Sequence, residues 1–333
     1  MPRVTTPGAE AMRKLVSAIA IAASVAGIAN AQPYPSRSIT LAMPFAAGGP
    51  GDTLARILAE HMKDSLGQTV IVENVTGAAG SIGAGRVARA APDGYTLILG
   101  NWATHVVNGV VYTLPYDVVK DFEPVSLVAT QPLLIVAKKT MPADDLNGLV
   151  AWLKAHPGSA STGNASVGSS TYVASIFFQM QTGTRFQLVP YRGGAPAMQD
   201  LLAGQIDMLF DLVANALPQV RAGTVKPYAV TAKSRSVAAP DIPTVDEAGV
   251  PGLHVALWNA MWAPRETPKA VIAKLNAAVI VALADPAVRS RLADLGHEFF
   301  PRDQLTPEAL AAFQAAEIKK WWPIIKAANI KGE

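Results

Sequence analysis

The residues best suited to chemistry in this chain sit in four loops, each between an apolar run that reads as a strand and a run with helical spacing. The first is Pro44-Phe45-Ala46-Ala47-Gly48-Gly49-Pro50-Gly51-Asp52. Its glycines permit positive φ and close approach of backbone to a ligand. Asp52 is expected to cap the helix it begins rather than to touch a ligand. The second loop is Gly100-Asn101-Trp102-Ala103-Thr104-His105. The third, Asn164-Ala165-Ser166-Val167-Gly168-Ser169-Ser170-Thr171, ends in three hydroxyl residues at a helix start. Hydroxyls, free backbone N–H groups and the helix dipole can together hold an anion, although capping of the helix by one serine accounts for the same letters equally well. The fourth is Pro190-Tyr191-Arg192-Gly193-Gly194-Ala195-Pro196. Beyond it, alternation in Ile206–Asp211 puts Asp211 at the carboxyl end of a strand, as a cleft residue or as a cap for the helix containing Leu217.

Enzyme signatures fail on spacing. Gly83-Ala84-Gly85-Arg86-Val87-Ala88 has the letters of a dinucleotide fingerprint, but it begins about nine residues past the strand it should abut. The run Gly163–Gly168 has one residue too many for a nucleophile elbow. The five histidines show no metal-ligand spacing, and no metal or other cofactor is expected. A serine hydrolase using Ser166 or Ser169 would need a base that nothing in the sequence places beside either residue. Phe177-Phe178 and Phe299-Phe300 read as core.

The elements that must position these loops alternate. Apolar runs at 39–43, 69–72, 96–99, 133–136, 206–210 and 228–231 are separated by helical stretches, which indicates an α/β class built on parallel sheets. The C-terminal third instead carries two long amphipathic patterns, 269–283 and 307–328. Thr267-Pro268 and Thr306-Pro307 read as cap plus first-turn proline, and a kink is expected at Pro323. No flexible linker divides the chain. Two lobes can still form if the chain crosses between them, and Val125–Gln131 and His254–Trp262 are the extended candidates.

Composition narrows the function. Met12-Arg13-Lys14, the apolar run Leu15–Ile28 and Ala29-Asn30-Ala31 have the three parts of a secretory signal peptide, with cleavage after Ala31. Cleavage leaves 302 residues and lowers the formal charge from +3 to +1, which gives no electrostatic case for nucleic acid. With no cysteine there is neither a disulfide framework nor a thiolate nucleophile.

Taken in order, many short segments resemble one family. They include Tyr34–Ile39, Pro44-Phe45 with Gly48-Gly49 and Asp52, Val72-Glu73-Asn74, Gly80–Gly83, and Ala91-Pro92-Asp93-Gly94-Tyr95-Thr96-Leu97. Leu114-Pro115-Tyr116-Asp117, Pro190-Tyr191-Arg192-Gly193, Asp200–Asp207 and Pro243-Thr244-Val245 follow. The chain thus resembles the substrate-binding receptors of tripartite tricarboxylate transporters, the Bug receptors. That resemblance implies a non-enzymatic, two-lobed α/β type II periplasmic binding protein fold with two crossing strands. Lobe 1 would comprise 32–131 and 256–333, and lobe 2 would comprise 132–255. It further implies a periplasmic monomer that closes on a small organic carboxylate or amino acid and serves membrane transporter subunits. A sensory receptor docking on a signalling protein is the alternative.

Carried over by resemblance, backbone at Phe45, Ala46, Gly48 and Gly49 holds waters that bridge to the ligand. Gly168, Ser169, Ser170 and Thr171 grip a carboxylate. Asn101, Trp102, Ala103, Thr104, Tyr191, Gly193 and Asp211 complete the cleft. Two residues depart from the family pattern: Trp102 stands where a small residue is expected, and Tyr172 where histidine is common. A tryptophan in the cleft would narrow it or stack on a flat ligand.

Overall fold

The structure, a computed structural model, describes residues 33–332 apart from Ser166 and Arg192. The expected signal peptide, 1–31, lies outside the described residues. Contacts divide the chain into residues 1–36 and one compact unit, 37–333, which contains every candidate site residue.

The first half of that unit runs β1 (Ile39–Met43), α1 (Pro50–Leu66), β2 (Val70–Asn74), α2 (Ser81–Ala88), β3 (Thr96–Asn101) and a short helix α3 (Asn108–Val111). A long strand β4 (Phe122–Lys138) leads to α4 (Leu146–Ala155), β5 (Ser161–Asn164), α5 (Ser170–Thr182), β6 (Gln187–Pro190) and α6 (Gly194–Leu202). Then come β7 (Met208–Leu212), α7 (Val213–Arg221), β8 (Val225–Val230), β9 (Ala256–Pro264), α8 (Lys269–Ala284), α9 (Pro286–Asp294) and α10 (Pro307–Ala327).

Strand order is β2-β1-β3-β9-β4-β7-β5-β6, with β8 also paired to β4. Two sets of strands are joined through β4. Its first part, Phe122 to Pro132, pairs antiparallel with β9, and from Leu133 onward it pairs with β7 and β8. The expected crossing segment 125–131 and the expected strand 133–136 are therefore one strand. The expectation of parallel sheets holds only within each set: β1 is parallel to β2 and β3, and β5 to β6 and β7. Every pairing made by β4 and β9 is antiparallel, because these two carry the chain out of one set and back.

Local chemistry explains the element ends. β1 is a continuous apolar run because strands flank it on both sides and its residues are almost wholly buried. Proline opens α1 at its first turn, and Gly67 ends it in the left-handed region with φ 66°. Thr306 caps α10 by accepting from the Ala309 N–H, as its sequence implies. Thr267 does not cap α8. Its hydroxyl donates to the Pro264 carbonyl, and Pro268 occupies the cap position. α10 continues through Pro323 to Ala327. The core of the second strand set gathers Leu134, Val136, Leu209, Val213 and Val230 under α6 and α7.

Candidate functional site

In the first loop the helix begins at Pro50, so Asp52 is its third residue and not its cap; Gly49 holds that position. Asp52 reaches back instead. Its Oδ2 accepts from the Gly48 N–H and Arg56 Nε, both at 2.9 Å, and its Oδ1 accepts from Asn74 Nδ2 at 2.9 Å. The same Asn74 amide donates to the Phe45 carbonyl at 2.9 Å. Burial pushes the Asp52 carboxyl up, but bonds from Arg56, Gly48 and Asn74 outweigh it and hold the group at about 2. The loop is thus tied to its own helix and to β2, with Ala46 and Gly48 exposed at its tip.

The second loop is self-satisfied in another way. The Asn101 N–H donates to Thr104 Oγ1 at 2.9 Å, and the Thr104 N–H donates to Asn101 Oδ1 at 3.1 Å. This reciprocal pair starts a single π-helical turn, Ala103–Val107. Both side chains are buried. Trp102 is fully buried as well, edge-on to Trp321 at 5.3 Å and 83°, so its aromatic partner is Trp321 and its ring is closed to solvent. Its indole N–H has no acceptor among the described residues.

The two loops converge at Gly80. That residue has φ 86°, and a Cβ there would lie 2.7 Å from Thr104 Cγ2 and 3.3 Å from Phe45 Cζ. Only glycine fits.

The third loop differs. Ser169 caps α5, accepting from the Tyr172 N–H at 3.2 Å, and its hydroxyl meets that of Thr171 at 2.9 Å. Thr171 Oγ1 accepts from the Ala165 N–H at 3.0 Å. Among the described residues, the Ser170 hydroxyl and the N–H groups of Ser170 and Thr171 find no partner. The donors therefore stand at the positive end of a 13-residue helix with nothing among the described residues to accept from them.

Loop four is bound to loop three through backbone: the Tyr191 N–H donates to the Asn164 carbonyl at 2.7 Å, and Gly193 N–H to Ala165 at 3.2 Å. The Tyr191 side chain turns away into its own half, packing on the core under α6 and donating to Asp200 Oδ2 at 2.7 Å. Asp211 lies near the carboxyl end of β7, as its sequence position implies, although that strand begins at Met208, two residues later than the apolar run 206–210. It is buried beneath the start of α6, where a Cβ on Gly194 would lie 2.9 Å from its Oδ1. Its carboxylate accepts from the Leu212 N–H and from Asn215, which is helix-start work and not an open cleft contact. Burial raises its pKa to about 6 against those two bonds.

The two sets of loops also approach each other. A Cβ on Gly168 would stand 3.6 Å from Val107 Cγ1 and 3.8 Å from Val111 Cγ1. A cavity of about 460 Å³, bordered by Ala47, Gly48, Asp52 and Arg56, opens on the outer side of the first loop. A larger one, about 780 Å³, lies between α7 and α9 and is lined by none of the candidate residues.

Residues 54–330 match the family model described as the tripartite tricarboxylate transporter family receptor. The chain belongs to that family. Its likeness to solved structures runs over whole chains. The periplasmic binding protein BugD is 38% identical, with 90% of this chain and 100% of BugD covered and a TM-score of 0.78. MatC from Rhodopseudomonas palustris, solved with bound malate, is 40% identical, with 88% and 100% covered and a TM-score of 0.78. A second R. palustris protein, solved with adipate, is 33% identical, with 90% and 99% covered and a TM-score of 0.79. The fold is accordingly the two-lobed one of periplasmic binding proteins. The tripartite tricarboxylate receptor family consists of solute-binding proteins, not enzymes.

In this receptor the C-terminal helix lies where its sequence pattern places it, but its hold on the second loop was not legible from that pattern. The Gln314 amide donates to the carbonyls of His105 and Val118, both at 2.9 Å, and Trp322 Nε1 donates to the Val106 carbonyl at 2.9 Å. α10 thus holds in place the π-turn that follows Trp102. The sequence signal was a glutamine on the buried face of an otherwise apolar helical pattern. The hydroxyls expected to act together are also unequal, since Ser169 and Thr171 build the loop and Ser170 does not.

Proposed function

We propose that residues 1–31 are a cleaved signal peptide and that the mature chain is a periplasmic receptor for a small dicarboxylate. Residues 32–131 with 256–333 form one lobe and 132–255 the other. The lobes close on the ligand, and the loaded monomer serves the membrane subunits of its transporter.

The observation that carries this is the start of α5. One hydroxyl and two N–H groups, on Ser170 and Thr171, are without an acceptor among the described residues. A carboxylate placed there accepts all three, each bond to a charged group contributing roughly 1.5–3 kcal/mol. After the cost of association, contacts of that size reach the roughly −8 kcal/mol of a micromolar complex. Backbone of Phe45, Ala46, Gly48 and Gly49 faces the ligand from the other lobe. Of these, Gly48 gives its N–H to Asp52, so its carbonyl is the group left to order a bridging water. The family's receptors for malate and adipate support a dicarboxylate over an amino acid. So does the engagement of Asp211, whose carboxylate is taken by the Leu212 N–H and Asn215 and is not turned toward an ammonium group.

The test is calorimetry against malate, adipate and a panel of small organic acids. Ser170→Ala should weaken binding of the accepted acid about tenfold without lowering the melting temperature. Equal affinity in parent and variant would remove the assignment.

A further inference from the structure

Phe177 is the one aromatic residue of the Phe177-Phe178 pair that the core does not absorb. Phe178 is fully buried beside Phe186 and Phe210, whereas Phe177 is half-buried. It projects from α5 seven residues after Ser170, a spacing that brings the two back to one helix face two turns apart. Its ring meets Trp321 of α10 edge-on, with centroids 5.4 Å apart at 79°. Trp321 is itself held. Its Nε1 donates to Glu317 Oε2 at 3.1 Å, an oxygen that also accepts from Trp258 Nε1 at 3.1 Å. A second aromatic neighbour of Trp321 is Trp102, within the second loop, again edge-on. The adjacent Lys320 places its Nζ over the Trp321 ring at 4.4 Å and donates at 2.8 Å to the carbonyl of His254, just before β9.

A single ring, Trp321, therefore touches one residue from each ligand loop region, Trp102 on its own lobe and Phe177 on the other. We propose that Phe177 and Trp321 form a latch that holds the lobes closed and sets how long the ligand stays; this rests on the lobe assignment and closure made under the proposed function. Both are positioning residues. Neither touches the ligand; each acts through the helix face that carries Ser170 and through Trp102. The latch exists only when the lobes meet, so it slows ligand departure and leaves ligand entry alone. An edge-to-face pair corresponds to a change of about three- to tenfold in such a rate.

The chain has no cysteine, so two can be introduced as unique label sites on exposed positions, Lys63→Cys on α1 and Lys154→Cys on α4. Spin-label distance distributions of the unliganded protein should show a closed population that shrinks in Phe177→Ala and in Phe177→Leu, and returns in Phe177→Tyr. Stopped-flow tryptophan fluorescence with malate or adipate should show about three- to tenfold faster dissociation in the first two variants, with association within about twofold of the parent. An unchanged closed population, or association slowed as much as dissociation is accelerated, overturns the latch. If neither acid binds the parent protein, the dicarboxylate assignment fails on its own, and the distance distributions still decide the latch.

Discussion

The first and third loops look alike as sequence, each a glycine-bearing turn that opens a helix, yet they dispose of their donors in opposite ways. In the first, Asp52 reaches back to take the Gly48 N–H and joins Arg56 and Asn74 in a closed network. In the third, Ser169 and Thr171 satisfy the turn and leave the Ser170 hydroxyl and two N–H groups without a partner among the described residues. A glycine-rich loop before a helix is thus no guarantee of available donors. What matters is whether an acid nearby in the chain takes them first.

The comparison breaks most readily at Asp52. Asp52→Ala should cost about 3 kcal/mol in urea denaturation, because it removes at once the three hydrogen bonds that its charged carboxylate accepts from Gly48, Arg56 and Asn74. The pH dependence has a definite sign. The folded carboxyl at about 2 lies below its ordinary value of 3.8, so its stabilisation is complete above pH 3.8 and is lost as pH falls toward 2. That slope should be absent from the variant.

Asp211 gives the reverse sign and the next largest effect. Its pKa is raised to about 6, so the protein is most stable with respect to this group below pH 3.8, and that stability is lost as pH rises through about 6. Asp211→Asn should flatten the unfolding free energy over that window, a change on the order of 2 kcal/mol, in denaturation series at pH 4 and pH 7. A slope that persists in the variant would assign it to another group.

The two neighbouring serines sharpen the contrast within the third loop. Ser170→Ala should lower ligand affinity about tenfold and change stability by less than about 0.5 kcal/mol. Ser169→Ala should cost about 1 kcal/mol of stability through loss of the helix cap, read by thermal unfolding without ligand. Equal behaviour of the two variants in both measurements would erase the distinction between the residue that builds the loop and the one that offers donors.

Much of the fold was legible in advance. The apolar runs at 39–43 and 96–99 and the helix expected over 307–328, with its threonine cap and first-turn proline, are set by patterns a few residues long, and they appear where those patterns lie. The site was legible only as a set of loops. Trp102 reads in sequence as a cleft residue because it follows a strand end, but Trp321, more than 200 residues later, covers it. Tyr191 and Asp211 sit at the right strand ends, yet each side chain is drawn into its own half, by Asp200 in one case and by Asn215 and the Leu212 N–H in the other.

The sequence by itself determined the α/β class, the loops that open helices, and the cap and turn residues, since each depends on backbone preferences and side chains within a few positions. Only the tertiary structure decided that β4 is one strand shared by two strand sets, that α10 secures the turn after Trp102, and that the Ser170 hydroxyl, unlike those of Ser169 and Thr171, has no partner among the described residues. Those outcomes depend on which distant groups reach a donor or a ring first, and spacing along the chain carries no record of that competition.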